Sequence, residues 1–180
     1  TVIEEESTPV DIICMGPLTN IANAILMKPS IKKEINRIVW FDQCRNDDKN
    51  TNYGMDCPSA DYILQTQIPV YRVKAGEKPP AIKPALLKKM QKIQTPYAQK
   101  LVRTHRVDSV EKALETGHLK TWDDLTALFF FHPELFETDK SRKEAQGTIV
   151  TLKEPRNIQD NLLRLLHRSN QQQPTVLQHF

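Results

Sequence analysis

Three stretches of the sequence carry side chains suited to holding a polar ligand. Gly16-Pro17-Leu18-Thr19-Asn20-Ile21-Ala22 places a flexible residue and a helix-starting proline just ahead of Thr19. Asn50-Thr51-Asn52-Tyr53-Gly54-Met55-Asp56-Cys57-Pro58-Ser59-Ala60 offers two amides, which both donate and accept hydrogen bonds, and a carboxylate ahead of a helical stretch. Trp122-Asp123-Asp124-Leu125-Thr126-Ala127 sets a carboxylate at the head of an apolar run. A hard cation takes oxygen ligands, and a carboxylate in that position is available to one. Each stretch also has a plainer use. The first is a well-formed helix start, Asn52 and Asp56 suit turn and N-cap positions, and Asp123 suits an N-cap.

These residues need a frame, and the hydrophobic pattern supplies one. Val10-Asp11-Ile12-Ile13-Cys14-Met15 is short and mostly apolar, opened by Pro9 and closed by Gly16-Pro17. It reads as a buried strand of a parallel sheet. Leu18, Ile21, Ala22, Ile25 and Leu26 fall on one helical face, and Pro29 ends that helix. Arg37 to Phe41 reads as a second strand, the polar segment Asp42 to Asn52 as a loop, Pro58 to Gln65 as a helix and Pro69 to Val73 as a third strand. This alternation is that of a doubly wound α/β sheet, in which ligands bind beyond the C-terminal strand ends. Gly16 and the Asp42–Asn52 loop both belong there.

The second half is richer in helix. An amphipathic face runs from about Pro84 to Arg103, with Pro96 expected to break it. Asp123 to Phe131 reads as a central, mostly apolar helix, Gly147 to Leu152 as a late strand, and Ile158, Leu162, Leu165 and Leu166 as a last helix. Residues 171–180 read as a tail after one domain spanning 1–170. The cations Lys83, Lys88, Lys89, Lys92, Lys100, Arg103 and Arg106 read as a solvated face, with a basic interaction surface as the weaker reading.

Composition narrows the function classes. A net charge of +3 is too weak a bias to indicate nucleic acid or a membrane surface as partner. No apolar run approaches the ~20 residues of a membrane helix. With five glycines there is no Gly-rich phosphate loop, and Cys14, Cys44 and Cys57 share no metal-ligand spacing.

The GPLTN-I-A stretch strongly resembles the corresponding signature of nucleoside hydrolases, which cleave the N-glycosidic bond of ribonucleosides. Two further segments match in the family's order. Asn52 and Asp56 fall on the loop that reads roughly E-F-N-x-x-x-D-P-E-A-A, and Asp123 falls on the aspartate of H-D-P-L-A, followed here by His132-Pro133-Glu134-Leu135. The resemblance implies an α/β fold with a mixed, mostly parallel sheet, a small-molecule ribonucleoside as substrate, a bound Ca²⁺ and a homo-oligomer. It implies Thr19, through its backbone carbonyl, and Asp123 as metal ligands. Asn52 and Asn50 would bind the sugar, and Trp122 would line the base pocket.

Two departures stand out. Asn50 replaces a glutamate, removing negative charge near a sugar that becomes cationic at the transition state. Trp122 stands where one branch of the family has a histidine, and an indole cannot act as a general acid at neutral pH. His118 is the nearest alternative proton donor in the sequence. The family's Asp-rich D-x-D-x-x-x-D-D segment, which contains the catalytic base, does not occur here. The expectation is therefore that the chain corresponds to the C-terminal portion of such a domain, with its first strands absent. Alone it would be inactive and prone to self-association, while the intact protein would be a calcium-dependent N-ribosyl hydrolase. A non-catalytic relative that binds a nucleoside or sugar is the alternative.

Overall fold

The computed structural model describes residues 2–42, 51–76, 79–139, 147–154 and 157–168. Asn50, Cys44 and the expected tail lie outside these residues. The chain divides into two compact units: Thr1–Lys78 with Trp122–Lys153, and Pro79–Thr121 with Glu154–Phe180.

The first unit is built on a sheet. After a short helix α1 (Val2–Glu5) come β1 (Val10–Cys14), α2 (Thr19–Met27), β2 (Ile35–Phe41), α3 (Asn52–Met55), α4 (Cys57–Leu64) and β3 (Val70–Lys74). The described residues form a five-stranded sheet of order β1-β2-β3-β5-β4, where β4 is Phe136–Asp139 and β5 is Thr148–Leu152. The pairings β1–β2, β2–β3 and β3–β5 are parallel, and only β4 runs antiparallel, against β5. This is the mixed, mostly parallel sheet expected from the sequence.

Both faces of the sheet are covered, which is why Ile38, Val39 and Trp40 are successive and all buried. On one face Leu18, Ala22 and Ile25 of the α2 segment and Ala60, Ile63 and Leu64 of α4 pack with Ile38 and Trp40. On the other lies α8 (Asp124–Phe131), packed against β1, β2 and β3. Its Phe129 ring stands 5.4 Å from that of Tyr71 and 5.3 Å from that of Phe136.

The second unit is helical, with α5 (Pro84–Met90), α6 (Pro96–Thr104), α7 (Asp108–Glu115) and α9 (Ile158–Arg168). Pro96 breaks the amphipathic run as expected. It takes the first position of α6, and Thr95 caps the new helix by accepting from the Ala98 N–H at 3.3 Å. The core here is Ile82, Leu86, Leu87, Met90, Val102 and Leu114, flanked by Leu162 and Leu166.

Gly147 leads into β5 with φ of +71°, and a Cβ there would lie 3.0 Å from the Val70 carbonyl oxygen and 3.1 Å from Leu64 Cδ2. A side chain at this position meets both a left-handed backbone and a backbone atom that cannot move aside. Gly147→Ala is expected to cost about 1–3 kcal/mol, measured by urea denaturation. A wild-type midpoint in the variant would show that β5 can shift without penalty.

Candidate functional site

The C-terminal ends of β1 and β2 bring the first two sequence stretches together. Parallel strands end with carbonyls that have run out of ladder partners, and such groups need donors from elsewhere. At β1, the Gly16 carbonyl accepts from Trp40 Nε1 at 2.9 Å. The Met15 and Phe41 carbonyls receive theirs from one side chain. Asn52 Nδ2 donates to Met15 O at 3.0 Å and to Phe41 O at 2.8 Å. Both amide hydrogens are thereby used, so Oδ1 is the atom Asn52 can offer to a ligand. Its function there is to accept.

Asn52 keeps this place because it opens the short turn α3. Thr51 caps the turn, its hydroxyl accepting from the Gly54 N–H at 3.0 Å. The next residue with a sequence-assigned role, Asp56, is spent on structure. Its Oδ1 accepts from the Ser59 N–H at 3.1 Å, capping α4, and its Oδ2 accepts from the Thr19 hydroxyl. These hydrogen bonds, the one from Thr19 first, hold the Asp56 carboxyl below the usual aspartate range. One carboxylate thus ties the start of α2 to the start of α4.

Thr19 is the first residue of α2. Its hydroxyl is committed to Asp56, which leaves the backbone carbonyl as the group that the resemblance assigns to a metal.

The third stretch arrives at the same edge. The Trp122 ring meets the Phe41 ring edge-on, with centroids 6.3 Å apart. Phe41 thus joins the two parts of the site, its carbonyl on Asn52 and its ring on Trp122. The indole remains 36% exposed and Met15 49% exposed, so apolar surface stays open here. Asp123 occupies the N-cap position of α8, yet its side chain makes no capping hydrogen bond. Partial burial, and then the neighbouring Asp124 charge, push its carboxyl above the usual range. His118 belongs to the second unit, where its Nδ1 lies 2.7 Å from the Thr116 hydroxyl.

The fit to a metal is incomplete. Calcium takes six to eight oxygens, and among the described residues no three His, Cys, Asp or Glu side chains stand close enough to share an ion. Asp56 has both oxygens engaged, which leaves Asp123 as the carboxylate with ligand character. The described residues do not make a calcium site by themselves.

A charged pair that the sequence reading missed lies just behind the edge. Asp42, fully buried, accepts from Arg72 Nε at 2.7 Å. The signal was present: an arginine inside the apolar run of β3 and an aspartate directly after that of β2.

The Thr19–Asp56 tie can be tested by titration. Thr19→Val is expected to raise the Asp56 titration midpoint toward the ordinary aspartate value, followed by carboxyl ¹³C NMR. A depressed carboxyl contributes stability above the ordinary pKa and loses it as pH falls through the depressed one. Thermal midpoints of variant and wild type should therefore differ near neutral pH and converge in acid. An unmoved Asp56 midpoint would dismiss the tie.

The sequence matches the inosine-uridine preferring nucleoside hydrolase family over residues 1–177. No protein of curated function matches. Among solved structures, the chain is similar to an inosine-uridine preferring nucleoside hydrolase from Bacillus anthracis, with TM-score 0.69 and 15% identity, covering 92% of this chain and 62% of that one. It is also similar to a purine-preferring ribonucleoside hydrolase from Gardnerella vaginalis, with TM-score 0.65 and 21% identity over 91% and 62% of the two chains. A third is the type III effector protein XopQ, solved with adenosine diphosphate ribose, with TM-score 0.65 and 13% identity over 93% and 62%. The chain thus spans about three fifths of the length of these structures. The family match over nearly its whole length and the shared fold agree, and the chain belongs to the inosine-uridine preferring nucleoside hydrolase family.

Proposed function

We propose that the intact protein hydrolyses the N-glycosidic bond of ribonucleosides, releasing free base and ribose, and that this chain supplies the sugar-binding and base-binding part of the site. The carrying observation is the pairing at Phe41 of an acceptor-only amide oxygen with an exposed indole. The Asn52 Oδ1 accepts from a ribose hydroxyl. The Trp122 face stacks on the base, which any aromatic ring can do regardless of base identity. Asn50 is the second residue that the resemblance assigns to the sugar.

N-glycosidic cleavage develops positive charge on the sugar ring as the base departs. Fixing the ribose through its hydroxyls sets the anomeric carbon for attack by water, and stacking holds the base in line to leave. Trp122 cannot give that base a proton, so the proton comes from another group. Calcium, when bound to the intact protein, would supply an activated water. Asp123 is the carboxylate of this chain that fits as one of its ligands, and the Thr19 backbone carbonyl is its neutral oxygen. Because the described residues do not complete such a site, this chain alone is inactive under this reading. A homo-oligomer is the assembly that goes with it.

One observation favours a second reading. With an indole where a histidine would assist departure of the base, the same edge suits a protein that binds a nucleoside or sugar without cleaving it.

Hydrolysis of a ribonucleoside panel by the full-length protein, with and without Ca²⁺, separates the two. Calcium-dependent release of free base is expected, with loss of that turnover in Asp123→Ala. In Asn52→Ala, kcat/KM should fall by about tenfold, the equivalent of one hydrogen bond. A folded protein that binds nucleosides and turns none over would decide for the binding reading.

A further inference from the structure

Asn52 sits on a turn of only four residues, too short to hold its shape without tertiary support. Its own amide and the Thr51 cap fix one side. The other side is Tyr53, and the Tyr53 ring lies against a cation. Arg72 Cζ is 5.9 Å from the Tyr53 ring centroid and 5.8 Å from that of Trp40. Trp40 and Arg72 are direct partners in the β2–β3 register. Asp42, two residues beyond Trp40, takes both Arg72 Nε, at 2.7 Å, and Nη2, at 2.6 Å, on the single oxygen Oδ2. Its Oδ1 is buried with no partner among the described residues.

An ion pair that leaves a buried carboxylate oxygen unmatched is a poor way to join two parallel strands. Apolar side chains of similar volume commonly do as well or better. What the pair provides that apolar residues would not is a planar cation, locked in orientation by its carboxylate, for aromatic rings to rest on. The surroundings accommodate it. Gly147 leaves room where a Cβ would lie 3.3 Å from Arg72 Cδ, and the Tyr53 hydroxyl donates to Asp61 Oδ1 at 2.8 Å.

We propose that Arg72, oriented by Asp42, is a positioning residue for the sugar site. It holds Tyr53, and through Tyr53 the α3 turn, so that Asn52 keeps its amide hydrogens on the Met15 and Phe41 carbonyls and its Oδ1 free to accept. This rests on the reading of Asn52 as a sugar-binding residue and deepens it.

The test uses the full-length protein with Arg72→Lys, which keeps the charge and loses the planar fork, and Tyr53→Leu, which leaves the Arg72–Asp42 pair intact. The first readout is solvent exchange of the Asn52 side-chain amide by NMR, which needs neither nucleoside nor turnover. The second is KM against kcat for a cleaved nucleoside. Both variants are expected to speed the Asn52 exchange by about tenfold while the backbone amide of Ile38, bonded to Pro69 O at 2.9 Å, keeps its protection. KM should rise by about tenfold, with kcat changing much less. Wild-type exchange at Asn52 in Tyr53→Leu overturns the proposal. So does loss of protection at Ile38 and Asn52 together in Arg72→Lys, which would make the pair a clamp between strands. If the exchange effect appears and the wild-type protein neither binds nor cleaves nucleosides, the sugar-site reading fails while the positioning of the amide stands.

Discussion

The site depends on the unmet hydrogen-bonding capacity of two strand ends. Where β1 and β2 run out of ladder, the carbonyls of Met15 and Phe41 need donors, and one amide from a later turn supplies both. That double donation fixes the orientation of Asn52 and decides what it can offer a ligand. It also brings residues far apart in sequence to one edge of the sheet, because Phe41 meets Asn52 through its backbone and Trp122 through its ring. An aspartate at position 52 could not do this, since a carboxylate has no hydrogens to give two carbonyls.

Carboxylates around this edge divide into those used for structure and one that is not. Asp56 spends both oxygens joining two helix starts, and Asp42 is committed to Arg72. Asp123 stands at a helix start without capping it, with its charge disfavoured by burial and by Asp124. A carboxylate kept under those conditions gains from a cation, which is why it carries the metal part of the functional reading. The histidine expected as an alternative proton donor pairs with Thr116 in the other unit.

Much of this was legible in the sequence because it rests on local signals. The buried strands β1, β2 and β3 declared themselves as short apolar runs, and the proline at 96 marked the start of α6. The Gly16-Pro17 pair marked the exit from β1, and Asp56 declared itself as a cap. What escaped depends on partners distant in sequence. β4 holds one apolar residue in four and is a strand only because β5 lies beside it. α7 is polar enough to pass as a loop, with a thin apolar stripe through Val110 and Leu114. The backbone carbonyls of Met15 and Phe41 have no sequence signature at all. The tie from the Thr19 hydroxyl to Asp56 joins residues 37 apart in sequence and has none either.

Family membership is carried by the sequence match, and identities of 13–21% to the three solved structures speak for the fold. The chemistry assigned to this edge therefore rests on its own atoms, above all on Asn52 as a pure acceptor beside an open indole. A crystal structure of the full-length protein with a bound ribonucleoside tests that most directly. A ribose hydroxyl is expected within hydrogen-bond distance of Asn52 Oδ1, with the Asn52 amide still on the Met15 and Phe41 carbonyls and the base against Trp122. A nucleoside bound elsewhere, or an Asn52 side chain that turns its amide hydrogens to the sugar and releases the strand ends, would contradict it.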